Sequence, residues 1–257
     1  SKVCSAALGR MLTAATMMGS TLKGKNDSIT VKINGGGPCG TVLAVSDSDG
    51  NVRGCIGKAD ISLPLNKKGK LDVAGAVGKD GFVTVIKDLG LKEPYIGKTP
   101  IVSGEIAEDI TSYYAVSEQI PTVCALGVLT EHDNGEIICA GGFMIQLLPT
   151  ADDTIIERVE ESIKDLPPVT KMLSDGMTPE EICKKALSKF NLQLLDETDT
   201  AYRCTCSRER VEKALIATGK SGLSEMAEDE TTEVVCNFCH KKYHFSKEEI
   251  QKMLKRV

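Results

Sequence analysis

A chain of 257 residues is long enough for one large or two modest domains, each with its own core. With 31 Lys and Arg against 36 Asp and Glu the net charge is −5 and the pI about 5.4, which argues against a nucleic-acid binder and its basic face. Nothing approaches the run of about 20 apolar residues that crosses a bilayer, since Met11 to Met18 is short and holds polar residues, and no secretory signal is visible.

The chain opens at Ser1 without Met, part-way into a helix, so a preceding segment is expected. Residues 5 to 22 read as a helix rich in Ala, Leu and Met, packed closely on another element and ending at Gly24. Ser28 to Ile33 alternates apolar and polar residues as a half-buried strand does. Gly35-Gly36-Gly37-Pro38 then reads as a forced turn before a strand from Thr41 to Val45, and Asp49-Gly50 as a hairpin turn before Val52 to Ile56. Phe82 to Ile86 is a further strand. Glu105 to Glu118 has helical spacing and is closed by Pro121. Thr122 to Leu129 and Glu136 to Leu148 form a second hairpin around Asp133-Asn134-Gly135.

Composition shifts at Pro149. Ile155, Ile156, Val159, Ile163 and Leu166 mark one helical stripe, stopped by Pro167-Pro168. Thr178-Pro179-Glu180-Glu181 supplies an N-cap, a proline in the first turn and a capping-box glutamate for a helix through Lys189. Between Ala151 and Arg203 stand 12 acidic and 7 basic residues, with an apolar stripe too thin for a separate core. Such a segment must lean on a neighbour, and docked marginal segments open first. A helix over Ser207 to Thr218, an acidic loop at Glu228 to Glu230 and a final helix capped by Ser246 and Glu249 complete the chain. The fold class is therefore α+β. An N-terminal antiparallel sheet with helices (1–150) precedes a helical linker (151–203) and a small C-terminal zinc-binding domain (204–257).

The zinc follows from the cysteines. Cys4, Cys39, Cys55, Cys124, Cys139 and Cys183 are scattered singly, as thiols that pack like small hydrophobes. Cys204-Thr205-Cys206 and Cys236-Asn237-Phe238-Cys239 are clustered. Four thiolates favour zinc or an iron–sulfur centre, and scattered singles beside one cluster point to a reducing, cytosolic setting and a zinc-carrying protein. Four sulfur ligands leave no open position for a substrate, which argues against catalysis at the metal. His240 and His244 are expected on the surface of the knuckle. Two readings remain, a structural zinc staple and a switch. Zinc-bound thiolates oxidise, each cysteine has a near neighbour in its own pair, and a C-x-C disulfide closes a strained, easily reduced ring.

Other candidates are weaker. The glycine run can cradle an anion but lacks the Lys and Ser/Thr of a phosphate loop. Glu105, Glu108 and Asp109 suit a helix N-terminus better than a metal. Cys124 with His132 lacks an orienting third group for a thiol nucleophile. A thiol oxidoreductase needs an exposed thiol of depressed pKa outside the zinc set, and a zinc-ribbon interaction module without a redox switch is the alternative to a switch.

Several blocks carry a family resemblance: Ser5-Ala6-Ala7-Leu8-Gly9-Arg10, Gly35-Gly36-Gly37-Pro38, Ser103 to Asp109, Ser117 to Pro121 and Gly141 to Pro149. Together with the C-x-C and C-x-x-C pairs they resemble, in order and along essentially the whole chain, the bacterial thirty-three-kilodalton heat-shock proteins, redox-regulated holdase chaperones. The resemblance implies one Zn(2+) per chain in the reduced, idle state, held by Cys204, Cys206, Cys236 and Cys239. It implies oxidative activation through disulfides Cys204–Cys206 and Cys236–Cys239, with zinc release and unfolding of the zinc domain and linker. It further implies ATP-independent protection of unfolding client proteins, a homodimer on activation, a cytoplasmic location and no enzymatic activity. At the start, the family has an additional strand-bearing segment that this chain lacks.

Overall fold

The computed structural model describes residues 1–131 and 133–257. The chain falls into two compact units, Ser1–Tyr202 and Arg203–Val257.

The first unit is built on α1 (Lys2–Gly19), whose buried face carries Val3, Ala6, Ala7, Met11, Ala14, Ala15 and Met18. Alanines let neighbouring elements approach closely, and each fully buried methionine contributes about 2 kcal/mol from the apolar surface it removes from water. Against α1 lie β1 (Ser28–Gly36), β2 (Val42–Asp47) and β3 (Asn51–Ile56), with the β2–β3 turn at Asp49-Gly50 as expected. Short α2 (Val73–Val77) leads directly into β4 (Gly78–Asp88), and β5 (Tyr95–Pro100) follows. These strands form a sheet in the order β5-β4-β1-β2-β3, antiparallel at each step.

Two expectations need correction here. Gly35 and Gly36 belong to β1 instead of a turn; the turn proper falls after them, closed by a hydrogen bond from Gly40 N to Gly37 O. The glycines are there because β1 runs against the α2–β4 junction. A Cβ on Gly35 would stand 2.2 Å from the Gly78 carbonyl oxygen, and one on Gly37 2.3 Å from that of Ala76. Gly37 N donates to Val77 O, so the run is committed to the fold and not to an anion. The helix expected over 105–118 is also divided. It consists of α3 (Ala107–Tyr113) and a wider π turn over Tyr114–Glu118. That turn brings the Glu118 carboxylate to Tyr113 Oη at 2.5 Å and to Lys87 Nζ at 2.7 Å on β4. Glu105 and Asp109 have structural partners. Glu105 pairs with Arg10, and buried Asp109 accepts from the backbone N–H groups of Val102, Ser103 and Ile106. Those bonds hold Ile106 at a φ of 71°, strained for a β-branched residue.

A second, two-stranded sheet of β6 (Thr122–Thr130) and β7 (Ile137–Gln146) is the hairpin expected around residues 133–135. One face lies on α1, where Val128 comes so near that a Cβ on Gly9 would stand 2.8 Å from its methyl. Three helices follow: α4 (Asp153–Ile163), capped by Asp152, then α5 (Val169–Ser174) after the two prolines, and α6 (Pro179–Ala186) with the capping box of Thr178 and Glu181. α5 and α6 lean on a neighbour, as their thin stripe requires. Val169, Met172, Ile182 and Ala186 bury with Phe143 of β7, while Val123, Ala125 and Ile145 pack alongside. Residues 191–200 form no regular element, and β8 (Ala201–Tyr202) then joins the large sheet parallel to β3.

The second unit contains α7 (Arg208–Ile216), α8 (Gly219–Met226), the hairpin β9 (Thr231–Val235) and β10 (Lys242–Ser246), and α9 (Lys247–Leu254). Its core is small: Leu215, Leu223, Tyr243, Phe245, Ile250 and Met253. No helix among the described residues is long and apolar enough to cross a membrane.

Candidate metal centre

Two pieces of local structure deliver the four clustered cysteines. Cys236 directly follows β9, and the chain doubles back to β10 through a tight turn in which His240 N donates to Cys236 O and Cys236 N to Lys241 O. His240 closes the turn at a φ of 58°. On the other side, Ser207 caps α7 through Arg210 N, and Arg210 Nη1 reaches back to Thr205 Oγ1 at 2.5 Å, holding the middle of the C-x-C segment.

The result is a cluster. The sulfurs of Cys204, Cys206, Cys236 and Cys239 all lie within 4.8 Å of one another. The close contacts cross between the two pairs, Cys204 to Cys236 at 3.7 Å and Cys206 to Cys239 at 3.5 Å. A zinc with bonds of about 2.3 Å to four sulfurs sets them about 3.8 Å apart along the tetrahedron's edges. The donor set and its spacing therefore fit such an ion. His240 and His244 are exposed and outside this group, as expected.

Tyr243 is a neighbour that the sequence reading did not assign. Its hydroxyl donates to the Cys206 sulfur at 3.1 Å. That contact lowers the Cys206 thiol to about 7 and pushes Tyr243 up to about 12, while burial drives Cys204 up to about 12. A lowered value gives Cys206 more thiolate character than an ordinary thiol has. It also packs against the core of the second unit, so the cluster and that core share a wall. Arg208 braces the same wall. Its guanidinium lies 4.3 Å from the Phe245 ring centroid and donates to His244 O and to Glu249 of α9. Strand alternation in Tyr243-His244-Phe245 was the available signal, because residues two apart share a face and both aromatics are buried.

The remaining candidates do not assemble. Burial raises the Cys124 thiol to about 12, opposite to what a nucleophile needs, and His132 lies outside the described residues. Cys39 is likewise raised to about 11, by burial first.

Comparison with known proteins gives the same direction throughout. The family model described as "Hsp33 protein" matches residues 1–246. The "33 kDa chaperonin" of Clostridium botulinum (strain Alaska E43 / Type E3) is 50% identical over 254 residues, covering 98% of this chain and 86% of the relative. That of Clostridioides difficile (strain 630) is 50% identical over 257 residues, covering 100% of this chain and 88% of the relative. The crystal structure of the 33 kDa chaperonin (heat shock protein 33 homolog) from Thermotoga maritima superposes with a TM-score of 0.89 at 38% identity, covering 100% of this chain and 87% of that one. The chain belongs to the Hsp33 family, a family of chaperones and not of enzymes.

Proposed function

We propose that the protein is a redox-regulated, ATP-independent holdase that is idle while Cys204, Cys206, Cys236 and Cys239 hold one zinc ion. The observation that carries this reading is the gathering of four sulfurs at tetrahedral spacing in a unit of small core. Zinc, when bound, supplies a fixed anchor for four thiolates and about 10 kcal/mol or more of folding energy. Six buried apolar side chains are a thin foundation without it.

Activation is a two-electron oxidation at each pair. Peroxide or hypochlorite oxidises one sulfur to a sulfenic acid, and the neighbouring thiol displaces water from it to close a disulfide. The pairing along the chain, Cys204–Cys206 and Cys236–Cys239, is the one proposed. Every sulfur lies within 4.8 Å of its chain neighbour, so short movements bring each pair together. The switch domain (204–257) then loosens and the linker (151–203) after it, leaving the N-terminal domain (1–150) free to hold unfolding clients, with a homodimer forming on activation in the cytoplasm. The net acidic balance supports proteins and not nucleic acids as partners.

Native mass spectrometry with and without peroxide tests this directly. Loss of one zinc per chain, gain of two disulfides mapped to those pairs, and reduced light scattering from an unfolding client are expected. A zinc-free, doubly oxidised chain that leaves client scattering unchanged would sink the reading.

A further inference from the structure

Resting on the holdase reading, we propose that the β3 edge of the large sheet is a docking site for an extended segment of an unfolding polypeptide. The segment adds as a parallel strand in the place that β8 occupies, so β8 is the chain's own stand-in for a client.

The edge is built for main-chain recognition. Asn51 faces Ala201 and Val52 faces Tyr202. Ala201 N donates to Gly50 O at 3.1 Å, and the Tyr202 hydroxyl to Gly54 O at 3.0 Å, so both acceptors are backbone carbonyls. Glycines keep the approach open. A Cβ on Gly50, whose φ is 78°, would stand 2.4 Å from the Asp199 carbonyl oxygen. Between β8 and α1 runs a groove of about 320 Å³, with Thr200, Ala201 and Tyr202 as one wall and Leu12, Met17 and Val52 among the rest, so a strand in the place of β8 would rebuild that wall with its own side chains.

The occupant is short, a strand of two residues. Both residues of β8 are exposed, Tyr202 by 52%, and the preceding stretch carries Leu195 at 87% exposure. Two residues beyond Tyr202 the chain reaches Cys204, so disorder at the cysteines removes the tether on that side. An edge stripped of its covering strand offers N–H and C=O groups to the next extended chain. Pairing through the backbone reads little of the partner's sequence, which suits capture of many different unfolded chains. A second copy is the lesser occupant. Its β5 is the opposite edge, and β3-to-β5 pairing would be head-to-tail, growing open polymers instead of closing a dimer.

The test uses the full chain, reduced or peroxide-activated, and a fluorescent synthetic peptide with the sequence of residues 192–203. Two analogues carry a single backbone N-methyl group. One blocks the amide corresponding to Ala201, which donates to the sheet; the other blocks that of Thr200, which lies outside the paired residues. Expected are binding to the activated chain alone, at least tenfold weakening by the first methyl group, less than twofold by the second, and displacement by an unfolding client. Equal effects of the two methyl groups, absence of peptide binding to a chain that suppresses aggregation, or cross-links between β3 and β5 of separate copies would overturn the docking site and leave the holdase reading intact. An activated chain that fails to suppress aggregation overturns both.

Discussion

The two units solve the problem of stability differently. Ser1–Tyr202 wraps a large sheet and a hairpin around one central helix, and fully buried Met11, Met18, Ile29, Ile33, Ile110 and Tyr113 fill its interior. Arg203–Val257 buries only six apolar side chains and shares one wall of its core with Cys206. The difference teaches where a trigger can sit. A unit stabilised mainly by packing loses a little with each change, whereas one closed by a few sulfurs fails when a single linkage goes.

The largest expected effect breaks the comparison at its weak side. With zinc held as proposed, Cys236→Ser should cost the second unit most of the metal's contribution, about 10 kcal/mol, and leave it unfolded while the first unit stays folded. Hydrogen exchange along the chain measures this, and equal protection of both units would contradict it. On the strong side, Met11→Ala should cost about 3 kcal/mol through loss of buried surface and a residual cavity. Thermal unfolding should show the loss in the first unit with the metal content unchanged.

Tyr243→Phe sharpens the contrast by touching the cluster without removing a sulfur. Loss of the hydroxyl at Cys206 should weaken metal affinity by about tenfold, as removal of an outer partner does, with the fold retained. Competition with a chelator reads this out. The smallest effect is a matter of pH. Burial opposes ionisation of Glu118, but the hydrogen bonds from Lys87 and Tyr113 outweigh it and hold the carboxyl below its ordinary value. Its folded pKa is therefore below its unfolded one, so the stabilisation is present above the unfolded value and is lost as pH falls through the folded value. Glu118→Gln should cost about 1 kcal/mol at neutral pH and flatten the acid side of the stability profile of the first unit, measured by denaturant titration across pH.

Much of this was legible where local chemistry decides the structure. Asp49-Gly50 marks its hairpin because the turn needs a residue at positive φ, and Gly50 has one. Thr178 with Glu181 and Ser246 with Glu249 announce their helices because each pair satisfies backbone donors that the helix start leaves open. The four cysteines announce themselves by spacing. What stayed hidden depends on distant partners. β5 contains Gly97 and ends on Pro100, poor strand residues, yet it forms because β4 offers an edge and Gly97 lets the Tyr113 ring come close. α8 has two glycines among eight residues and owes its place to fully buried Leu223. The hydroxyl of Tyr243 on Cys206 joins residues 37 positions apart, beyond any local pattern. The π turn is hidden for the same reason, since its Glu118 answers to Lys87 on another strand.

The hairpin of β6 and β7 is covered on both sides, by α1 on one and by residues of α5 and α6 on the other. Its inner side persists as long as the central helix does; its outer side lasts only while two short helices remain seated. Phe143 and its neighbours can thus come into water by the peeling of one layer, with nothing beneath them disturbed. Under the proposed function, such an arrangement would bare a sticky surface and cover it again without having to refold its centre.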